Sequence, residues 1–244
     1  MDAKKGRSIS HLSQYEEGLT AYIESKLKIP VLLENDCKMM AIGEKSFGKA
    51  KDKDNTLCLK VGSGIGLGII MDGKIYRGAD GYAGEFGHIL IDPDGDLCHC
   101  GKIGCLETLC SGTILTRDIN KALEKGQAST LSKIKTAKKP VNLNQIIDAI
   151  NNGDQFATDQ LTKSLDYLGK GLVTLIHLFN PEMIILGGKL AHTKKIIIAP
   201  LESALNKYTM PQLRKGVKIT CSELLNEAAL LGTMAYTMQI ALQE

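Results

Sequence analysis

Apolar side chains recur at three- and four-residue spacing through Leu12, Tyr15, Leu19, Tyr22, Ile23 and Leu27, which predicts an amphipathic helix ended by Ile29-Pro30. A turn around Lys4-Lys5-Gly6 precedes it, and the apolar run Val31-Leu32-Leu33 after it predicts a short buried strand. Glu34-Asn35-Asp36 comes next, and Asn35 or Asp36 is suited to cap a helix from Cys37 to Phe47. Strands are predicted at Thr56–Val61 and Gly68–Met71, with an Asp72-Gly73 turn leading into Lys74–Tyr76 as a hairpin. From Ala79 to Gly112 glycine and loop residues dominate, with one strand expected near His88–Ile91. Helical periodicity then takes over at Ile114–Leu123, Leu143–Ile150 and Phe156–Phe179. Short strands at Met183–Leu186 and Val217–Thr220 and a closing helix at Glu227–Leu242 complete the chain. Residues 124–139 carry Lys and Glu without periodicity, as a solvated loop or frayed helix does. Strands mixed with helices and hairpins indicate an α/β fold with a mixed sheet. The expected division lies near residues 110–115, separating 1–112 from a mostly helical 113–244.

Composition narrows the function classes. With 244 residues, 43% of them hydrophobic and 23% charged, the chain can bury a substantial core. No apolar run approaches the roughly 20 residues of a membrane-spanning helix, and the N-terminus lacks the apolar stretch of a secretory signal, so no membrane partner is expected. Thirty basic residues against 27 acidic ones leave +3, too little for a nucleic-acid footprint, and there is no Trp for a base-stacking surface. Seven cysteines, an odd number, fit a reducing, cytoplasmic compartment better than a disulfide framework. Cys37, Cys58 and Cys221 lie in apolar surroundings and are expected to be small buried hydrophobes.

The remaining cysteines cluster. His88, Cys98, Cys100 and Cys105 offer the three thiolates and one imidazole of a closed tetrahedral zinc site, wrapped by a loop that Pro93, Gly95, Gly101 and Gly104 make turn-prone. The alternative is a loop with incidentally grouped cysteines. His99 is expected to point outward and Cys110 to be a helix-core residue. A second signal is Gly62-Ser63-Gly64-Ile65-Gly66-Leu67-Gly68, where glycine at every second position allows backbone amides to approach an anion. It is neither a Rossmann nor a Walker motif, and a packed glycine-rich hairpin is the alternative. Third, Glu34-Asn35-Asp36 at a strand end exposes polar groups where α/β ligands usually bind; a carboxylate there can take a proton from a hydroxyl, while a plain helix cap explains it equally. Fourth, Glu85 and Glu107 flank the cysteine loop and can accept hydrogen bonds from substrate hydroxyls. Two carboxylates in glycosidase roles are conceivable, though nothing in the spacing favours that.

Taken together and in order, Leu33-Glu34-Asn35-Asp36, Gly62 to Gly68, Gly81 to His88, Cys98 to Glu107 and Ile185-Leu186-Gly187-Gly188 resemble the ROK family of repressors, open reading frames and sugar kinases, from Lys28 onward. The resemblance implies an actin-like, hexokinase-type (ribonuclease H-like) two-lobed fold with a sugar or sugar phosphate in the cleft. It implies that Asn35, Asp36, Glu85, His88 and Glu107 hold sugar hydroxyls and that Asp36 is the catalytic base of a kinase. It further implies that Gly62, Ser63, Gly64 and Gly66 face nucleotide phosphates, that Gly187 and Gly188 face adenosine, and that a structural zinc on His88, Cys98, Cys100 and Cys105 orients the sugar site. Dimers or tetramers are the family's common state.

Two departures shape the expectation. The Asp-x-Gly-x-Thr phosphate loop of the family's kinases does not occur in the sequence, so the N-terminal lobe is expected to be incomplete and phosphoryl transfer is not expected of this chain by itself; Mg-ATP would be a cofactor only of a kinase. The run Cys105-Leu106-Glu107-Thr108 resembles the repressor branch, similar to the N-acetylglucosamine and xylose repressors, in which DNA is read by a winged helix that this sequence does not contain. The expected function is the effector-binding part of a sugar-responsive transcriptional repressor, with an ATP-dependent hexose or N-acetylhexosamine kinase as the alternative.

Overall fold

A computed structural model describes residues 3, 5–7, 18–134 and 139–242 of the chain. Leu12 and Tyr15 of the expected first helix lie outside the described residues, as do Lys4 and residues 135–138. Helix α1 covers Leu19–Leu27 and stops at Lys28, which turns left-handed at φ 59°. The expected strand at Val31–Leu33 does not form: this segment has no sheet partner among the described residues, and Leu32 is exposed. Helix α2 (Asp36–Phe47) starts where expected, because the side-chain oxygen of Asn35 accepts the amides of Cys37 and Lys38.

Strands β1 (Thr56–Val61), β2 (Ile65–Met71) and β3 (Lys74–Ile75) form an antiparallel meander. Short helix α3 (Glu107–Cys110) and α4 (Gly112–Glu124) follow, then α5 (Leu143–Asn151) and the 25-residue α6 (Gln155–Phe179). Strand β4 (Met183–Gly187), helices α7 (Lys195–Tyr208) and α8 (Pro211–Arg214), strand β5 (Lys218–Cys221) and helix α9 (Ala228–Ala241) complete the order. The five strands run β3-β2-β1-β4-β5, with β1–β4 and β4–β5 parallel. The mixed sheet therefore joins strands from both halves of the chain.

Alternation along the strands divides the core. Leu57, Leu59, Val61, Ile184 and Leu186 face the larger cluster built with α4, α5 and α6, while Cys58, Met183 and Ile185 face Met40 and Ala41 of α2. On that second face the glycines of β2 have a packing role. A Cβ on Gly66 would strike the Cys37 sulfur, and one on Gly68 would strike the Cys37 carbonyl, so α2 lies directly on the strand. Buried Glu44 ties α2 to the end of β5: it accepts the Ser222 hydroxyl at 2.5 Å and the Lys49 amide at 3.0 Å. Helix α9 packs outside α2 through a Gly43–Gly232 crossing.

The expected strand near His88–Ile91 is instead a turn of 3-10 helix at Phe86–His88, followed by isolated bridges pairing Leu90 with Cys105 and Leu97 with Ile103. Helix α7 escaped the sequence analysis because Pro200 stands inside it.

Candidate functional site

The N-terminus of α2, the turn between β1 and β2, and the segment 83–85 converge on a cleft of about 240 Å3, into which Glu107 also projects. Asn35, Asp36, Gly62, Ser63, Gly64, Gly66, Glu85 and Glu107 all line it, so eight residues singled out in sequence meet around one cavity. Lys60, which sequence analysis missed, lines it too.

Asp36 opens α2, and its carboxylate accepts a hydrogen bond from the Lys60 ammonium and a weaker one from the Cys37 thiol at 3.3 Å. Burial opposes the charge on Asp36, but the hydrogen bond and positive charge of Lys60 outweigh it, leaving the carboxyl below its ordinary range. Lys60 is moved the other way: burial disfavours its ammonium, and bonding to Asp36 more than compensates. The signal available in sequence was a lysine in the otherwise apolar strand Leu57-Cys58-Leu59-Lys60-Val61.

A polar network behind the cleft fixes its two halves. Glu34 accepts the Asn35 amide at 2.9 Å and the Arg77 guanidinium at 3.0 Å, and the buried Lys38 ammonium donates to the Gly81 carbonyl. Gly78, Gly81 and Gly84 all take positive φ, the conformation that lets this loop fold back and carry Glu85 to the cleft. On the opposite wall Glu107, the first residue of α3, accepts the Ile65 amide at 2.6 Å. Its other oxygen lies 3.2 Å from His99 Nδ1. His99 is exposed as expected, but it is tethered rather than free.

His88 stands one step behind. Its Nε2 is 3.9 Å from the Glu85 carboxylate, and its Nδ1 is 3.6 Å from the Cys98 sulfur. The Cys100 and Cys105 sulfurs are 3.6 Å apart, and the donor atoms of His88, Cys98, Cys100 and Cys105 all lie within 4.8 Å of one another. Tetrahedral zinc with Zn–S bonds of about 2.3 Å needs sulfurs about 3.8 Å apart; the Cys100–Cys105 pair is near that spacing, and the four donor atoms are close enough together to converge on one such ion. Burial, together with the neighbouring thiols, pushes the Cys105 thiol up, while hydrogen bonding from the Lys102 backbone holds the Cys100 thiol below its ordinary range; a bound cation would favour the Cys105 thiolate. Cys110 is buried, as are Cys37 and Cys58; Cys221 is only half-buried.

Gly187 and Gly188 do not line the cleft. Gly187 packs against Met40, and Gly188, at φ 78°, turns the chain beside the Val61 carbonyl towards a separate cavity of about 560 Å3. That cavity is lined by Asn144, Asp148 and Asn151 of α5 and by Lys189, His192 and Lys194 after β4.

The model of the ROK family matches residues 4–240. The chain belongs to the ROK family. Among ROK proteins of similar sequence is a glucokinase of Thermotoga maritima, 32% identical over 88% of this chain and 68% of its own length. The DNA-binding transcriptional dual regulator NagC of Escherichia coli is 29% identical over 94% of this chain and 55% of its own. Among solved structures, a ROK family transcriptional regulator homologous to the E. coli MLC protein superposes with a TM-score of 0.82 at 30% identity, covering 95% of this chain and 58% of that one. A ROK family glucokinase from Streptomyces griseus, in complex with glucose and AMPPNP, gives 0.80 at 32% identity over 88% and 70%. The chain thus spans between 55% and 70% of the length of these four relatives. It has the α/β fold of ROK sugar kinases and repressors. No described helix is long and apolar enough to cross a membrane.

Proposed function

We propose that this chain binds a sugar in the cleft between α2 and Glu107 and serves as the effector-binding part of a sugar-responsive transcriptional repressor. The observation that carries the choice is the Asp36–Lys60 pair. A general base must take a proton from the attacking hydroxyl, and an aspartate already neutralised by an ammonium and held below its ordinary range is a weak one. The same carboxylate remains a good acceptor for a sugar hydroxyl. Asn35, Glu85 and Glu107 supply further polar groups around the ring, and His88 orients Glu85 from behind. A zinc ion on His88, Cys98, Cys100 and Cys105 acts structurally, locking the loop that ends at Glu107. DNA contact belongs to a winged-helix segment outside this sequence, and self-association into dimers or tetramers in the cytoplasm accompanies this reading.

Calorimetry with glucose, N-acetylglucosamine, xylose and their phosphates tests it. Binding of at least one of them, weakened about tenfold or more by Glu107→Ala, is expected, since a charged hydrogen bond is worth about 1.5–3 kcal/mol. A folded, metal-loaded chain that binds none of them refutes the proposal.

The kinase reading has its own support in the 32% identity to a glucokinase and the presence of Asp36 at the helix start. There the glycine turn Gly62–Gly66 faces Mg-ATP phosphates, with adenosine in the cavity beyond Gly187 and Gly188. Sugar-dependent release of ADP that disappears in Asp36→Asn would establish this second reading in place of the first.

A further inference from the structure

A cavity of about 700 Å3 adjoins the sugar cleft, and the two share Ser63, Gly64 and Glu107 in their walls. The larger one lies between Leu97, Cys98 and His99 of the cysteine loop and Thr113 and Ile114 at the start of α4. Its chemistry differs from that of the cavity beyond Gly188, which carries Lys189, His192 and Lys194. Among the described residues lining the 700 Å3 cavity there is no Lys or Arg, and the one carboxylate is Glu107. A phosphate placed here would meet a negative charge and no cation, which disfavours it strongly.

What the wall offers instead is hydrogen-bond acceptors beside apolar surface. Thr108 and Thr113 donate their hydroxyl protons to the carbonyls of Cys105 and Ser63, both at 2.7 Å, and so present free lone pairs. Ser111 is buried, and its hydroxyl already accepts the Ile114 amide at 3.3 Å. His99 presents a flat ring that is exposed but held at both ends: edge-on to His88 with centroids 5.2 Å apart, and 3.2 Å from Glu107. Leu97 beside it is 73% exposed, a cost in water that a ligand covering it removes. Acceptors alternating with a fixed ring and aliphatic carbon match a neutral sugar ring, whose edge donates hydroxyls and whose face is C–H. The first cavity, at about 240 Å3, falls below the roughly 300–1,000 Å3 of sites for larger ligands, so it has room for one ring and the second cavity for another.

We propose that the cavity over His99 is a second sugar subsite, so that the ligand of this chain is a neutral disaccharide with one ring among Asn35, Asp36 and Glu85 and the other between His99, Leu97 and Ile114. The inference rests on the sugar-binding reading of the cleft. Titration calorimetry on the zinc-loaded chain compares glucose, N-acetylglucosamine and xylose with cellobiose, diacetylchitobiose and xylobiose. At least one disaccharide should bind about tenfold tighter than its own monosaccharide, the equivalent of burying a few tens of square ångströms more apolar surface plus a hydrogen bond. Leu97→Ala and Ile114→Ala should each remove most of that advantage while leaving the monosaccharide affinity in place. Leu97 is so exposed that its truncation spares the core, which keeps the test open if Ile114→Ala fails to fold. Monosaccharide binding with no gain for any disaccharide, or a gain that survives both substitutions, overturns the subsite and leaves the sugar reading standing. Failure of every sugar to bind removes the sugar reading and the subsite together.

Discussion

At the scale of single residues, the cleft is governed by the pairing of Asp36 with Lys60, side chains that meet between the start of one helix and the end of one strand. The pairing has a definite pH signature. An aspartate held below its ordinary value of 3.8 stabilises the fold fully above that pH, and the contribution fades as pH falls towards the lowered value. Replacing Lys60 by Met removes the hydrogen bond and the charge but leaves the burial, opposed then only by the hydrogen bonds from Cys37, so the carboxyl rises relative to the parent chain. The Asp36 carboxyl resonance in Lys60→Met should therefore titrate at higher pH than in the parent chain, and the acid limb of sugar affinity should move up with it. An unchanged midpoint would mean that the ammonium is not bound to Asp36 in solution. Asn35 and Asp36 were visible in sequence because a polar triplet opening a helix is a local signal. Lys60 was not, because its meaning depends on a partner 24 positions away. The tether from His99 to Glu107 was hidden for the same reason.

Among elements, α2 and α9 cross in close backbone contact. A Cβ on Gly43 would run into the Ala228 carbonyl, and one on Gly232 into the Met39 carbonyl. Helix propensity alone favours Gly43→Ala by about 1 kcal/mol. The obstacle, however, is backbone rather than a flexible side chain, so the helices must separate, at an overpacking cost of about 1–3 kcal/mol. We expect the clash to prevail and Gly43→Ala to melt several degrees below the parent chain in calorimetric scans; a higher melting temperature would show that α9 is free to shift. The elements themselves were largely legible. Strand β1, strand β4 and helix α6 are apolar runs or periodic stretches whose pattern matches their burial, and they appear within a residue or two of their expected ends. The failures have physical causes. Val31–Leu33 is apolar but finds no neighbouring strand among the described residues, and the strand expected near His88–Ile91 gives way to a 3-10 turn at Phe86–His88 that brings His88 to Cys98. The alternating glycines from Gly62 to Gly68 were read as an anion nest, whereas two of them, Gly66 and Gly68, also give α2 its place on the sheet. A spacing rule cannot separate those two uses, since both need the absence of a side chain.

At the scale of the whole molecule, a loop with little backbone pairing holds Glu107 in register with a rigid core. Between His88 and Glu107 the chain makes two isolated bridges and a few turn hydrogen bonds, while strands β1 and β4 and helix α6 lie in a continuous buried cluster. Among the described residues the His88, Cys98, Cys100, Cys105 set can join the loop's ends, because it ties residue 88 to residue 105 and leaves Glu107 two positions beyond the last ligand; His88, His99 and Glu107 form a second group close enough to share an ion. Metal loading should therefore stabilise the loop and the cleft without governing the fold, unlike small domains that unfold when stripped of zinc. Stripping the metal with a chelator should raise amide exchange across residues 92–107 and leave β1, β4 and α6 protected. Sugar affinity should fall about tenfold or more, in line with the 10- to 100-fold effects of disturbing residues that orient a site. Readdition of zinc should restore it. Global unfolding on chelation would instead place the metal among the determinants of the core. Unchanged exchange and affinity would mean that the Leu90–Cys105 and Leu97–Ile103 bridges, with the Ile65 amide on Glu107, suffice to hold the loop by themselves.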